Sequence, residues 1–214
     1  MKLAVVVGAF VMLINGAAIA SPEATVKKDP GNVRIGPEVA MGAPSGFGGG
    51  LSVKLHHLVG LDARASYVPW LTVANPIKIS RVSYEGALRV YPTRGSFFVG
   101  TAGGYAQLHA AAVDTVGTGT TYAQQVSARA GIGYAYVRPE LGWLWAFDNG
   151  MTLGVHGGAE IPVWHAQPRA TITTQDGTVN AAGKPGASGA TAALSFLGTH
   201  ALPAVTLFEV GFML

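Results

Sequence analysis

The 214-residue chain has no cysteine and few charged side chains. Charged residues make up 12% of the sequence, about half of the roughly 25% that soluble globular domains carry. Without cysteine there is no disulfide framework, so packing alone must stabilise the core. The net charge of +3 is small and scattered, which argues against nucleic-acid binding. These shortages also disfavour an ordinary soluble enzyme.

Long hydrophobic runs are missing after the N-terminus. Beyond residue 21 no window reaches about 18 consecutive apolar residues, so no transmembrane helix is expected there. The apolar run from Leu3 to Ile14 follows Lys2 and is too short to span a bilayer, and Ala18-Ile19-Ala20 is typical of a cleavage site. We therefore predict a signal peptide over residues 1–20 and a mature domain over residues 21–214.

The chain is rich in glycine, with 30 residues, and its hydropathy alternates with a period of two residues. The alternation predicts strands at 51–57, 59–67, 80–91, 95–107, 122–135, 137–147, 151–163 and 204–214. A ninth candidate, 33–41, carries Pro37 in its middle, which a closed barrel tolerates poorly. Residues 190–198 are either a tenth strand or a short helix at the barrel mouth. Since bacterial single-chain barrels have even strand counts, we expect eight strands and keep ten as the alternative.

The in-strand charges keep to one register and the large apolar residues to the other. In residues 59–67, for example, Asp62 and Arg64 alternate with Leu61 and Ala63. A soluble sandwich would expose a face dense in Lys and Glu, whereas here the polar face is mostly Gly, Ala and Ser. Small polar residues inside and a continuous apolar face outside are required of a membrane-spanning barrel. We predict an all-β, antiparallel, up-and-down transmembrane β-barrel.

A polar network inside the lumen is the candidate site that this register predicts. Its members are Arg64, Glu85, Arg89, Arg129, Glu140, His156, Glu160 and Glu209. Because charges of both signs are present and an eight-stranded interior just holds its own side chains, we interpret the set as ion pairs that fill the barrel. A path for protons or small polar solutes is the alternative. Within 126–134 this interpretation places Ile132 and Tyr134 on the lipid face.

The aromatic residues and the connections give less consistent signals. Tyr67, Trp70, Trp143, Trp145 and Trp164 lie near predicted strand ends, where amphipathic rings favour the bilayer interface. The long connections are 68–79, 108–121 and 164–203. With the C-terminus in the periplasm, neither strand count places all of them on the outer side. The stretches 116–121 and 167–189 are predicted loops.

Two segments give the chain a family resemblance. Phe208, Val210, Phe212 and Leu214 alternate to the last residue, and GALRVYPTRGSFFVGTAGGY, residues 86–105, places Pro92 and Gly95 in a turn between two strands. In both features the chain resembles the small outer-membrane β-barrels of Gram-negative bacteria, of the OmpA/OmpW type. The resemblance implies contact with outer-membrane lipid and recognition of the terminal strand by the barrel assembly machinery.

These observations predict a non-enzymatic barrel in the cell outer membrane, with a structural, interaction or narrow, porin-like transport role. No spacing of histidines suggests a metal site, and we expect no cofactor. A lipid-modifying hydrolase is one alternative, but it needs a Ser-His pair facing lipid, and Ser127 and His156 fall in the lumen register. A soluble secreted lipocalin-like barrel is the other, and it would reverse every face and leave a surface unusually poor in charge.

Overall fold

A computed structural model describes residues 33–74, 77–116, 124–167, 169–174, 177–180 and 194–214. The strands are β1 (Val33–Ala43), β2 (Gly46–Leu55), β3 (Val59–Ala74), β4 (Ile77–Val90), β5 (Phe97–Val116), β6 (Gln124–Ala146), β7 (Met151–His165), β8 (Arg169–Thr174), β9 (Gly177–Asn180) and β10 (Leu202–Phe212). A short helix, α1, covers residues 194–199. The predicted signal peptide lies outside the described residues, as does 117–121 of the predicted loops. The prediction of a loop over 167–189 was wrong where the chain is described, since β8 and β9 lie within it.

Eight of the strands close into an antiparallel barrel. Strands β1 to β7 pair in chain order, and β10 pairs with both β7 and β1 to complete the circle. The predicted all-β architecture and the count of eight barrel strands are therefore confirmed. Strands β8 and β9 form a hairpin that pairs with β6 along Ser127–Gly131, beyond the part of β6 that pairs with β7.

The eight strands are not the set expected from the sequence. Segments 122–135 and 137–147 are one strand, β6, and the ninth candidate is a full barrel strand, β1. Strand β1 accommodates Pro37 because its ladder with β10 begins only at Glu38, while Pro37 pairs with Leu51 on β2. No strand forms in the described part of 190–198, where the helix alternative is confirmed by α1.

Merging two segments into β6 reverses the predicted faces of residues 126–134. Side chains of an unbroken strand alternate strictly between the two faces. The inward set of Arg138 and Glu140 therefore continues toward the start of β6 through Tyr134 and Ile132. Tyr134 and Ile132 are buried, whereas Arg129 is exposed on the outer surface. The placement of Arg129 in the lumen was wrong, because apolar residues fill this part of the interior and polarity does not mark the faces there.

The barrel has a short-turned end and a long-looped end. The end that carries Val33 and Leu214, here the terminal end, also holds the connections 56–58, 91–96 and 147–150. The other, here the loop end, holds the short connections 44–45 and 75–76 and both long ones, 117–123 and 166–201. The apparent conflict among the connections disappears, because it came from counting β6 as two strands and omitting β1.

The C-terminal strand runs to the end of the chain as expected, with one irregularity. The register of β10 against β7 shifts between Thr206 and Glu209, so that Leu207 lies in a bulge. Leu207 is 64% exposed. Thr206 therefore pairs with inward-facing His156 rather than facing outward with Phe208. Beyond the strand, Leu214 and Ile35 exchange two backbone hydrogen bonds, so even the last residue is tied to the barrel.

The outer surface is apolar over a height that matches a bilayer. Exposed outer residues include Val39, Leu51, Leu61, Leu88, Leu141 and Leu153. Trp143 pairs with Val155 near the terminal end, and Trp164 lies nine residues further along β7. Nine residues at about 3.3 Å, tilted by about 40°, rise about 23 Å, close to the apolar band of about 25 Å in outer-membrane barrels. Among the described residues, no helix combines the length and hydropathy needed to cross a membrane.

Candidate functional site: the barrel interior

The interior is filled by three layers of side chains. At the terminal end Tyr91, Phe98, Leu144 and Met213 form a buried apolar cluster, here the terminal plug. At the loop end a second apolar cluster surrounds Ile132 and includes Leu194 of α1. Between them lies a charged layer. Its cations are Lys54, Arg64, Arg81, Arg89 and Arg138, and its carboxylates are Glu38, Asp62, Glu85, Glu140, Glu160 and Glu209.

Arg89 holds the centre of the charged layer. Its Nη1 and Nη2 atoms donate hydrogen bonds of 2.8 and 3.0 Å to the two carboxylate oxygens of Glu209. Its Nε atom donates to Glu140 at 3.2 Å and lies 3.1 Å from the carboxylate of Asp62. The guanidinium also stacks over the Phe98 ring, which joins the layer to the terminal plug. One fully buried arginine therefore joins carboxylates from three other strands.

Arg64 and Arg138 extend the layer across the lumen. Arg64 donates to Glu38 at 2.6 Å and to Glu209 at 2.8 Å, joining β3 to β1 and β10. Arg138 donates to Glu85 at 2.8 Å, and the Tyr136 hydroxyl donates to the same carboxylate. Buried charges remain in a low-dielectric interior only when paired and hydrogen-bonded. The arginines of the charged layer meet this condition by linking partners that are far apart in sequence, whereas the Asp62 carboxylate lies next to Arg89 without a hydrogen bond.

A second group of the charged layer, built on Arg81 and Glu160, lies between Arg89 and the loop end. Arg81 donates a 2.8 Å hydrogen bond to Glu160, whose other oxygen accepts one of 2.7 Å from the Tyr134 hydroxyl. The Arg81 guanidinium also lies within cation–π range of the Tyr134 and Tyr136 rings. This pair joins β4, β6 and β7 below the apolar cluster at the loop end.

Glycines opposite the charged residues make room for their side chains. Arg89 pairs with Gly60 on β3 and Gly100 on β5, and Glu140 pairs with Gly100 and with Gly158 on β7. A Cβ atom at Gly142 would collide with His156. At Arg89 and Glu140 the lack of side chains on the paired residues leaves room for long groups in a narrow lumen. Elsewhere in the layer charged residues pair directly, as Arg64 does with Glu85.

His156 belongs to this layer rather than to a hydrolase. Its Nδ1 atom is 3.2 Å from Glu140 and its Nε2 atom 3.2 Å from Glu209. Ser127, two residues before outward-facing Arg129, lies on the opposite face from His156. The two residues that the hydrolase alternative needs are therefore kept apart by the barrel wall. No cluster of His, Asp or Glu suited to a metal ion occurs in the described part of the chain.

Seven of the eight residues predicted for the lumen network lie together inside the barrel, and Arg129 lies outside. Glu38 and Arg81 were missed as members, as were the hydroxyls of Tyr134 and Tyr136. Glu38 alternates with Val39 in the segment 33–41, and Arg81 continues the odd-numbered register of Glu85 and Arg89. Both charges were therefore visible in the alternation. The two tyrosines were not, because Tyr134 was assigned to the lipid face and Tyr136 fell between two predicted strands.

A closed antiparallel barrel with an apolar exterior and a paired, charged interior defines the class. It is the architecture of the small outer-membrane β-barrels, and it is the reverse of a soluble lipocalin-like barrel, whose apolar face would be inside. No family model and no curated protein sequence matches the chain.

Among solved structures, CarO2 of Acinetobacter baumannii is similar at 15% identity over 85% of this chain and 98% of that one, with a TM-score of 0.49. CarO of the same organism is similar at 14% identity over 84% and 97%, with a TM-score of 0.43.

Proposed function

We propose that the protein is an exported, integral barrel of the Gram-negative outer membrane, non-enzymatic, with a filled interior that does not conduct ions. Its role is then structural or one of interaction through the loop end. The observation that carries the proposal is the three-layered interior, in which a charged layer is closed by apolar side chains on both sides. The outer-membrane location is supported by the apolar exterior and by closure of the sheet, which leaves no unpaired strand edge in lipid.

The orientation follows from the connections. Bacterial outer-membrane barrels have short periplasmic turns and longer extracellular loops. The terminal end would therefore face the periplasm and the loop end the outside. In this orientation Phe208, Val210, Phe212 and Leu214 form the strand that the assembly machinery recognises. The outward positions of Phe208 and Phe212 on β10, and of Leu214 two residues after it, support that role.

Ion pairs and apolar side chains cross the lumen and oppose an open channel. Arg64 and Arg89 both donate to Glu209, and they bring the carboxylates of Glu38 and Glu140 to the same central layer. Below that layer Phe98 is 1% exposed, and above it Tyr134 is fully buried. A solute would have to displace both the ion pairs and an apolar layer.

Planar-bilayer recordings test the closed interior. Refolded wild-type protein should insert, as shown by heat-modifiable migration on gels, and yet give no discrete conductance steps. A variant with Arg64, Arg89, Phe98 and Tyr134 replaced by alanine shortens side chains in all three layers, and it should leak if it inserts. Conductance steps from the wild type, selective for one ion or solute, would establish the narrow transport role instead.

A further inference from the structure

One region of the outer surface is not apolar. At the loop end Lys78 of β4, His109 of β5, Arg129 of β6 and Arg169 of β8 are all exposed. Trp70 of β3, 49% exposed, lies beside them. Lys78, His109, Arg129 and Trp70 line a cleft of about 550 Å³, here the loop-end cleft. It lies on the outside of the barrel wall and shares no side chain with the charged layer.

Strand register brings these cations together around small residues. Ala111 pairs with Lys78 on one side and Arg129 on the other, so both long side chains flank a methyl group. In the next row Gly131 pairs with His109 and Arg169, and the His109 ring lies against Gly131. Two strand spacings place the Lys78 and Arg129 backbones about 10 Å apart. The bottom of the cleft is therefore formed by the small residues Ala111 and Gly131, and its edges carry the cations. This arrangement leaves space for a compact anion.

The cations of the loop-end cleft contrast with those of the lumen. Every lumen arginine has a carboxylate partner. Among the described residues, none of Lys78, Arg129 and Arg169 forms a salt bridge. The carboxylates whose side chains are described lie in the charged layer, apart from Asp148 in a turn at the terminal end. The cleft thus carries positive charge that the described part of the protein does not neutralise.

The cleft lies just above the level of the lipid headgroups. Tyr105 and Trp164 both lie beside Ala135, at the upper edge of the apolar band. His109 is four residues further up β5, a rise of about 10 Å, and Ala111, which pairs with Lys78 and Arg129, is six residues further up, a rise of about 15 Å. Headgroup regions extend beyond the hydrocarbon core by about 5 to 8 Å on each side. Lys78 and Arg129 therefore reach a lipid phosphate by extending their long side chains down the barrel wall, as Lys and Arg do at membrane interfaces.

We propose that the loop-end cleft binds the phosphorylated headgroup of a lipid from the membrane around the barrel, an inference that rests on the proposed membrane location. Arg129 and Arg169 supply planar guanidinium groups that match phosphate oxygens, and Lys78 adds a point charge. Trp70 has the amphipathic ring that suits the boundary between headgroup and acyl chain. The occupant is lipid rather than free phosphate because the cleft lies on the outer wall of the barrel, above the apolar band that faces the surrounding membrane.

Native mass spectrometry of the refolded full-length chain in detergent tests the inference. Phosphatidic acid, phosphatidylcholine and inorganic phosphate are the probes. The wild type should retain phosphatidic acid in preference to phosphatidylcholine. The double variant Lys78→Gln/Arg129→Gln should weaken phosphatidic acid binding at least tenfold. Arg94→Gln is the matched control, because Arg94 is equally exposed but lies in a turn at the terminal end, and its affinity should stay unchanged.

The possible failures are distinguishable. Equal weakening by the double variant and the control would overturn the site, because it would show only general charge attraction. Complete competition by inorganic phosphate at a concentration equal to the lipid would overturn the lipid as occupant. Loss of heat-modifiable migration in wild-type protein would instead contradict the barrel's insertion into detergent, and with it the proposed function. The substituted residues are exposed, so the heat-modifiable migration of each variant should match that of the wild type.

Discussion

Removal of Arg89 is the sharpest test of the charged layer. The variant Arg89→Met keeps a long unbranched side chain but deletes the guanidinium, and with it the hydrogen bonds to Glu209 and Glu140. The carboxylate of Asp62 loses its neighbour at 3.1 Å in the same step. Three buried carboxylates then lack the cation that lies between them.

The expected cost follows from this geometry. Removing one partner of a buried ion pair costs about 3 to 5 kcal/mol, because the remaining charge stays desolvated and unpaired. Arg89 serves more than one carboxylate, so we expect the free energy of unfolding to fall by about 5 kcal/mol, at the upper end of that range. Urea unfolding in lipid vesicles, followed by tryptophan fluorescence, measures the change. The second variant Arg89→Met/Glu209→Gln should recover part of it, since one uncompensated charge is removed.

Arg94→Met is the matched control. Arg94 is an exposed arginine in a turn at the terminal end, outside the loop-end cleft, and surface substitutions usually change stability by less than about 0.5 kcal/mol. Equal effects of Arg89→Met and Arg94→Met would refute the reasoning. A loss below about 1 kcal/mol for Arg89→Met would do the same, because a buried cation that matters so little cannot organise the layer.

Three further outcomes are expected. Deletion of residues 212–214 should abolish assembly but not export, since it removes Phe212, Leu214 and the backbone pair with Ile35; membrane extraction and periplasmic fractionation measure this, and normal insertion would contradict it. The wild type should fractionate with outer membranes and migrate differently on gels when boiled, whereas folded protein recovered from the soluble periplasm would contradict the location. Gly142→Leu should lower stability by several times the roughly 0.5 kcal/mol of a surface change, because a Cβ atom there meets His156; the same urea unfolding checks it.

Alternation identified the barrel wherever the lumen is charged. In β3, Asp62 and Arg64 mark the inward face, and their strand was assigned correctly. In the upper half of β6 the inward residues are Ile132 and Tyr134, and the outward row includes Arg129. In this part of the wall the contrast is reversed, because the inward row is apolar and the outward row carries the charge, so the rule that charge faces inward selected the wrong set. Only the continuity of β6 from Gln124 to Ala146 settles the register.

Pro37 misled the count for a related reason. A proline removes one backbone donor, which disfavours a central strand when each residue is judged alone. In the barrel the cost is limited because the β1–β10 ladder begins at Glu38, one residue later. Where a ladder begins depends on the partner strand, and β10 lies more than 150 residues away along the chain. The local sequence of β1 could not supply that information.

Glycine pairing marks the centre of the charged layer. Glu38, Arg89 and Glu140 each have glycine as the paired residue on both neighbouring strands. Other lumen charges have larger partners, since Arg64 pairs with Glu85 and Arg81 with Leu108. Outward-facing Arg169, in turn, pairs with Gly131. Glycine pairing therefore shows where long side chains meet at the middle of the lumen, and it would not by itself have separated Arg129 from the lumen charges.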